Sequence, residues 1–560
     1  MSLAPSADSR LRASDTSHRV TNQPPPLEER NLWLDDQPLR EAAVRHGAAW
    51  ARDELHAFGA LCGRRESIDL GFQANEHPPR LATHDRFGHR IDEVHFHPAY
   101  HALMRIGMEA EVHALPWRRS QPGAHVARAV KHYLLTQVEA SVLCPLTMTF
   151  SAVPALHRRE DLAAIWVPRI IRPAYDPRRI TPAEKAGATL GMAMTEKQGG
   201  SDVRANTTTA QPDPGCAGRY RLSGHKWFCS APMSDAFLTL AQTDHGLSCF
   251  LVPRILEDGR HNALRIMRLK DKLGNRANAS AEIEYHGTHA ELLGEPGHGI
   301  ATILEMVSHT RLDCVIGAAG LMRQALAQAM HHTAHRRAFG RRLIEQPLMR
   351  EVLADLALEV EAATALALRL AAAYDDPRAP SRAFRRLATA ASKYWITKRT
   401  STMIAEALEC LGGNGYVEES IMPRLYREAP LNSIWEGSGN VMCLDVLRAV
   451  ASEPESLPAL RDELALASGN DQRFDAFVRD TERLLPRGDA RAEPAQAKAR
   501  QLAERLALAL EASLLIRHAP PAVADAFVAT RLQRAGGHTF GTLPSGLEVA
   551  EVLARAWPEG

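Results

Sequence analysis

Apolar residues change their spacing along the chain, and each change marks a predicted domain boundary. Residues 31–186 carry them mostly at helical spacing, which predicts an N-terminal helical domain. Residues 187–295 hold short apolar runs separated by turn residues, for example Ala236–Leu240 and Ser248–Val252, which predicts a β domain formed by a compact sheet or barrel. The first half of the chain is therefore predicted to be a helical layer followed by a sheet.

Helical spacing returns in the second half of the chain. Residues 296–450 contain long helical patterns with Ala-rich faces, which suit the close packing of a four-helix bundle. These patterns are His309–Arg336, Gln346–Tyr374 and Ser381–Leu411. Residues 451–560 are again helical in pattern and are predicted to form an extra C-terminal domain. The order helix, sheet, helix, helix predicts an α+β protein with segregated layers.

Composition narrows the class of protein. Residues 1–30 are rich in Ser, Arg and Pro and lack the apolar centre of a secretory signal, so we predict a flexible tail, with a transit peptide as the alternative. The net charge of +1 gives the whole molecule no attraction for nucleic acid or an anionic membrane. Eight scattered cysteines without a Cys-x-x-Cys pair argue against disulfides and zinc and fit the cytoplasm.

Membrane and metal sites are not predicted. No apolar run approaches the roughly 18 residues that a membrane span requires. His331 and His335 have the spacing of two metal ligands on a helix, but no acidic or cysteine partner lies near them in the sequence. A helix-end histidine pair is the preferred interpretation, because cations suit the C-terminal end of a helix.

The segment Ser433–Asn440 carries the chemistry most directly. It reads Ser-Ile-Trp-Glu-Gly-Ser-Gly-Asn and places the Glu436 carboxylate beside Trp435, before small residues that do not crowd a large ligand. A carboxylate buried against a ligand has its pKa raised toward the working range of a general base. Glu436 is therefore the candidate base, and the alternative is a surface glutamate in a loop.

Two further segments have the composition of a cofactor cradle. Met194–Asp202 is rich in Gly, Ser and Thr, whose backbone N–H groups and hydroxyls can approach phosphate, and Trp227–Ser230 adds aromatic cover. Taken alone, the first is equally a tight turn and the second an ordinary strand with buried aromatics. No strand is followed by Gly-x-Gly-x-x-Gly and a helix, so a Rossmann nicotinamide site is unsupported.

The order and spacing of these segments resemble those of the acyl-CoA dehydrogenase flavoproteins. The resemblance implies an FAD-dependent tetramer in which a neighbouring subunit completes the flavin site, and α-proton abstraction by Glu436. Thr310 stands where some relatives carry a catalytic Glu, so Glu436 has no rival there. The cofactor-binding positions that the resemblance implies are Met194, Thr195, Gly200, Ser201, Phe228, Cys229, Ser230, Arg336, Phe339, Gly412, Gly413, Trp435, Gly437, Ser438 and Asn440.

Several segments resemble the AidB-type branch of that family, named for the adaptive response to DNA alkylation. They include Asn22–Pro25, Pro145–Phe150, Arg268–Arg276 and Asn432–Arg448. The branch implies weak isovaleryl-type acyl-CoA dehydrogenase activity, a homotetramer, and binding of double-stranded DNA through the C-terminal region. The alternative is a catabolic short- or branched-chain acyl-CoA dehydrogenase without a DNA role.

Candidate DNA contacts are the basic residues of the C-terminal region and one at its junction with the bundle. They are Arg448, Arg473, Arg479, Arg483, Arg487, Lys498, Arg500, Arg531 and Arg534. Acidic residues are interleaved among them, so only folding could create a basic face, and a solvated, salt-bridged helical surface is the alternative. The flavin site and this region are expected to be separate.

Overall fold

The computed structural model describes residues 17–216, 218–486 and 488–557. The N-terminal helices are α1 (Gln37–Arg45), α2 (Arg52–Cys62), α3 (Arg65–Glu76), α4 (Pro98–Glu109), α5 (Leu115–Arg118), α6 (Ala124–Thr136), α7 (Leu143–Leu156) and α8 (Glu160–Ile170). The bundle and the helix that follows the candidate base comprise α9 (Gly299–His335), α10 (Pro347–Asp375), α11 (Ala379–Glu409), α12 (Met422–Glu428) and α13 (Gly439–Ser452). The C-terminal helices are α14 (Ser456–Ala465), α15 (Gln472–Glu482), α16 (Glu493–His518), α17 (Pro521–Phe527) and α18 (Val549–Ala556).

The strands lie mainly between the two helical halves. They are β1 (Arg80–His84), β2 (Arg90–His95), β3 (Leu190–Ala193), β4 (Thr209–Pro212), β5 (Arg219–Ser230), β6 (Ala236–Thr243), β7 (Gly246–Pro253), β8 (Leu264–Leu269), β9 (Ser280–Leu293), β10 (Arg337–Ala338) and β11 (Arg341–Arg342). The order helix, sheet, helix, helix of the predicted α+β fold is confirmed.

The prediction of helix in the N-terminal region is wrong at one place. Strands β1 and β2 form an antiparallel hairpin inside it. The turn between them is closed by Asp85, whose carboxylate accepts hydrogen bonds from the backbone N–H groups of Phe87 and His89. The helical pattern of this region is also interrupted between α1 and α2, where Gly47 adopts a φ of +90°, a conformation that ends a helix.

The central strands close into a barrel-like sheet. Strands β4, β5, β9, β7 and β6 pair in a ring, while β3 adds to β6 in parallel and β8 pairs with β9. Apolar side chains such as Phe237, Phe250 and Ile283 fill a core of their own. A register shift in β5 between Lys226 and Cys229 breaks the regular alternation of side chains at the segment predicted to cover the cofactor.

The C-terminal helices pack directly on the bundle. One continuous apolar core joins the N-terminal helices, the bundle and the C-terminal helices. Buried polar contacts add to it: Arg531 pairs with Asp355 and Glu359, and the Trp395 indole donates to Glu511 at 3.0 Å. Within the part of the chain that the structure describes, no helix combines the length and apolarity needed to span a bilayer.

The second half of the predicted tail lies against the bundle. The Asn22 side chain exchanges hydrogen bonds with the backbone of Arg337, at 2.7 and 2.9 Å. The Pro25 carbonyl oxygen lies 2.8 Å from Nε2 of His331. These contacts hold residues from Asn22 onward in place, so the predicted flexible tail extended too far; residues 1–16 lie outside the described residues.

Candidate active site

The loop that carries Glu436 connects the end of the bundle to α13 and has an unusual backbone. Glu436 has a φ of +58° and Gly437 a φ of +107°. L side chains rarely adopt the φ of Gly437, so the position favours glycine, and a Cβ there would also meet the flexible terminal methyl of Met442. Two cations hold this backbone: Arg311 donates to the Glu436 carbonyl at 3.0 Å, and Lys393 donates to the Gly437 carbonyl at 2.8 Å.

The Glu436 carboxyl group accepts one short hydrogen bond. Thr310 Oγ1 on α9 donates to Glu436 Oε2 at 2.5 Å. Burial raises the pKa of Glu436 above its ordinary value of 4.5, and Thr310, Lys393 and Arg311 only partly offset this effect. Arg311 instead forms its ion pair with Asp445, at 2.8 Å. A carboxyl group with a raised pKa and no direct ion pair among the described residues has the properties of a general base.

Barrel residues meet this loop on its other side. Met194 and Trp435 both pack against a second apolar cluster that lies between the barrel and α7. Cys144 on α7 lies near Ser230 and Glu436, and burial together with the Glu436 carboxylate raises the pKa of its thiol to about 11. The structure therefore brings Met194, Ser230, Trp435 and Glu436 into one neighbourhood.

The loop Met194–Asp202 is ordered by a buried ion pair that the sequence did not reveal. Lys226 Nζ donates to Glu196 Oε1 at 2.7 Å, and both residues are inaccessible to solvent. The second carboxylate oxygen accepts from the backbone of Thr207 at 2.7 Å. Although burial acts to raise it, the hydrogen bond from Lys226 is the largest contribution that holds the pKa of Glu196 near 2. The tip of the loop is tight, since a Cβ at Gly200 would overlap the Thr195 side chain.

In the segment Trp227–Ser230, which is predicted to cover the cofactor, Phe228 is exposed but Cys229 is not. Phe228 is 48% exposed and lies 4.8 Å from the Lys270 ammonium, as measured to its ring centre. Cys229, in contrast, is buried in the barrel core, so its side chain is not on the surface that Phe228 presents. Ser201, at the end of the loop, is exposed.

A second group of predicted cofactor residues lies near the N-terminal arm. Arg336 Nη1 donates to the Asn22 carbonyl at 2.6 Å, and Asn414, beside Gly413, donates to Gln23 at 3.0 Å. Phe339, at the tip of the β10–β11 hairpin, is 99% exposed. The turn at Gly412 and Gly413 is open, because a Cβ at either position meets nothing within 4 Å. No hydrogen bond between described residues joins this group to Glu436.

The predicted DNA contacts differ widely in exposure and pairing. Arg531 is largely buried between two carboxylates, so we withdraw it from the predicted surface set. Arg448, Arg473, Arg483 and Arg534 each form an ion pair with a neighbouring carboxylate. Arg479 and Lys498 are exposed and have no ion pair among the described residues. Arg487 lies outside the described residues.

Arg500 shows that the C-terminal region and the candidate site are not separate. Its Nε donates to Asn440 Oδ1 at 2.8 Å, and Asn440 is the second residue of α13, four residues after Glu436. The two residues lie 60 positions apart in the chain, so no local sequence pattern could have predicted this contact.

Comparison with known proteins places this geometry in a family. Residues 22–177 match the family model of the adaptive response protein AidB N-terminal domain. Residues 191–288 match the acyl-CoA dehydrogenase middle domain, and residues 297–451 match the acyl-CoA dehydrogenase C-terminal domain.

Individual relatives extend the match over almost the whole chain. AidB of Escherichia coli (strain K12) is 46% identical over 524 residues, which cover 93% of this chain and 95% of that protein. Acyl-CoA dehydrogenase family member 11 of Caenorhabditis elegans is 31% identical over 86% of this chain and 83% of that protein. The crystal structure of Caenorhabditis elegans ACDH-11 in complex with C11-CoA has a TM-score of 0.82 at 28% identity and covers 98% of this chain and 95% of that one.

Proposed function

The chain belongs to the acyl-CoA dehydrogenase family, with an AidB N-terminal domain, and from this premise we propose that it oxidises a short acyl-CoA of the isovaleryl type with Glu436 as base. Family membership makes it an FAD-dependent oxidoreductase that acts on CH–CH bonds. The observation that carries the assignment of the base is the Glu436 carboxyl group, which is half-buried, hydrogen-bonded by Thr310 and without a direct ion pair among the described residues.

The residues around Glu436 account for proton abstraction. The thioester makes the α-proton of the substrate acidic, and the ionised Glu436 carboxylate takes that proton. FAD, when bound, supplies the acceptor for the hydride that leaves the β-carbon. Thr310 orients the carboxyl group through its hydroxyl, while Arg311 and Lys393 fix the backbone of the loop without neutralising the base.

The residues present fit FAD. On the barrel side, the Thr195 and Ser230 hydroxyls and the exposed Phe228 ring are available for a flavin. The open turn at Gly412–Gly413 leaves room for a large ligand to approach the backbone. The fully exposed Phe339 needs a covering partner, and we propose that a second copy of the chain in a homotetramer, a dimer of dimers, covers it.

Replacement of the base tests this function. Glu436→Gln keeps the hydrogen bond to Thr310 but cannot accept the proton, so we expect FAD to stay bound while bleaching of the flavin absorbance by isovaleryl-CoA slows by a factor of about 10³ or more. Glu295→Gln, an exposed glutamate ahead of α9, is the matched control and should bleach normally. Bleaching of Glu436→Gln at the wild-type rate would reject the assignment.

We also propose that the protein binds duplex DNA in the cytoplasm during the response to alkylation. The exposed and unpaired cations Arg479 and Lys498 support this second function, because free cations on one region can neutralise phosphates. Affinity for duplex DNA should fall steeply as salt is added, and Arg479→Ala with Lys498→Ala should reduce both the affinity and the salt slope. Arg461→Ala, which breaks a surface ion pair with Glu482, is the control.

The same assay decides between the DNA role and the alternative without it. An absence of measurable duplex binding at low salt would remove the DNA role. The protein would then be a catabolic short- or branched-chain acyl-CoA dehydrogenase with a C-terminal extension.

A further inference from the structure

The contact between Arg500 and Asn440 connects the C-terminal helices to the loop of the candidate base. Arg500 lies on α16, within the region that follows the segment matched by the acyl-CoA dehydrogenase domain models. Its guanidinium reaches the first turn of α13 and also lies 6.0 Å from the ring centre of Tyr394. A guanidinium held by an amide oxygen rather than a carboxylate keeps its positive charge available for a ligand.

A second cation converges on the same turn. Lys398 on α11 lies close to Gly439. A Cβ built on Gly439 would be 2.9 Å from the Cε of Lys398. Arg500 donates to Asn440, the next residue along the chain, so both cations lie at the first turn of α13.

The acidic side chains near Arg500 and Lys398 form ion pairs with other residues. Asp445 on α13 pairs with Arg311 and Arg386, and Glu504 on α16 pairs with Arg534. Among the described residues, neither Arg500 nor Lys398 has an acidic partner. Two unneutralised cations at one place favour an anionic ligand.

The first turn of α13 is built to accept such a ligand. Ser438 precedes the helix without capping it through its side chain, and the turn contains no acidic residue. Its backbone N–H groups and the positive end of the helix dipole therefore add to the charges of Arg500 and Lys398.

We propose that Arg500 and Lys398 bind the phosphate-bearing half of FAD, so that the C-terminal helices complete the cofactor site. The inference rests on the proposed flavin function and assigns the extra region a part in it. It also moves Arg500 from the predicted DNA contacts to the cofactor contacts. The chemistry recognised is a dinucleotide pyrophosphate or its adjoining ribose, next to the loop that carries the base.

Cofactor titration of the full-length apoprotein tests the proposal. Arg500→Ala should weaken FAD binding by about ten-fold, as expected for the loss of one charge-assisted contact, while binding of riboflavin, which carries no phosphate, stays unchanged. Arg500→Lys should recover part of the affinity, because it restores the charge without the guanidinium fork. Flavin fluorescence quenching reports both titrations without any need for turnover.

Arg491→Ala is the matched control, since it removes an exposed arginine just ahead of the same helix. It should leave FAD affinity unchanged. Equal FAD affinity of wild type and Arg500→Ala, or an equal loss for FAD and riboflavin, would overturn the proposal. If the wild-type apoprotein itself bound no FAD, the flavin function would fail first, so the two failures are distinguishable.

Discussion

Two loops of this protein each hold a glutamate against a lysine, and they use the pair in opposite ways. In the barrel loop, Lys226 donates directly to the Glu196 carboxylate at 2.7 Å. In the loop before α13, Lys393 donates to the backbone carbonyls of Asn432 and Gly437 and leaves the Glu436 carboxylate without an ion pair among the described residues. The pKa of Glu196 is held near 2, whereas burial raises that of Glu436.

The difference shows that the role of each carboxylate depends on the atom to which the nearby lysine donates. A direct ion pair fixes the charge of Glu196 and anchors the loop that carries Thr195 and Gly200. A cation aimed at backbone oxygens fixes the geometry around Glu436 while leaving its proton affinity high. The first arrangement is structural, and the second suits a base.

The largest effect on stability should come from breaking the ion pair between Lys226 and Glu196 in the barrel loop. Lys226→Met leaves the inaccessible Glu196 carboxylate without its cation, so we expect the free energy of unfolding to fall by about 3–5 kcal/mol. Lys393→Met removes hydrogen bonds only from backbone carbonyls and should cost about 1–3 kcal/mol. Chemical denaturation of the two variants measures both values. Equal losses would contradict the distinction between the loops.

The sequence anticipated the layers of the fold better than the contacts within the site. Helical and strand-like spacing is local, so the barrel and the long helices could be predicted, while the β1–β2 hairpin was missed because its strands are short and rich in charge. The segment around Glu436 could be found because its residues are contiguous. Its partner Thr310 lies 126 positions away, and only the packing of α9 against the loop brings the hydroxyl to the carboxyl group.

Removal of the Thr310 hydroxyl tests how the surroundings of Glu436 set its pKa. Thr310→Val keeps the shape of a buried residue but removes the hydrogen bond that favours the ionised carboxylate, so the pKa of Glu436 should rise further. The acid limb of the flavin bleaching rate should shift upward by about one pH unit, which is about a ten-fold slower rate on that limb. Thr310→Ser retains the donor and should keep the wild-type profile. A profile of Thr310→Val that does not move would show that the hydroxyl does not influence the base.

A substitution at Gly437 strains the backbone of the loop that carries Glu436 without changing any charge. Gly437→Ala places a Cβ at a φ of +107° and against the methyl of Met442, so we expect a loss of about 1–3 kcal/mol in unfolding free energy. Gly488→Ala is the control, since a Cβ at that position meets nothing within 4 Å. Thermal unfolding compares the two variants, and equal midpoints would mean that the loop relaxes freely.

The smallest expected effect is a difference in pH dependence between the two glutamates. The pKa of Glu196 is lowered to about 2 from 4.5, so the stability it contributes is present above pH 4.5 and is lost as the pH falls toward 2. The pKa of Glu436 is raised, so its contribution is present below pH 4.5 and is lost as the pH rises through the folded value.

Glu196→Gln should therefore be less stable than wild type at pH 7, with the gap narrowing in acid. Glu436→Gln should instead gain stability relative to wild type as the pH rises. Denaturation curves of the three proteins between about pH 3 and pH 8 measure these gaps. Gaps that change in the same direction with pH would remove the electrostatic contrast between the loops, because only carboxyl groups whose pKa values are shifted in opposite directions can produce opposite slopes.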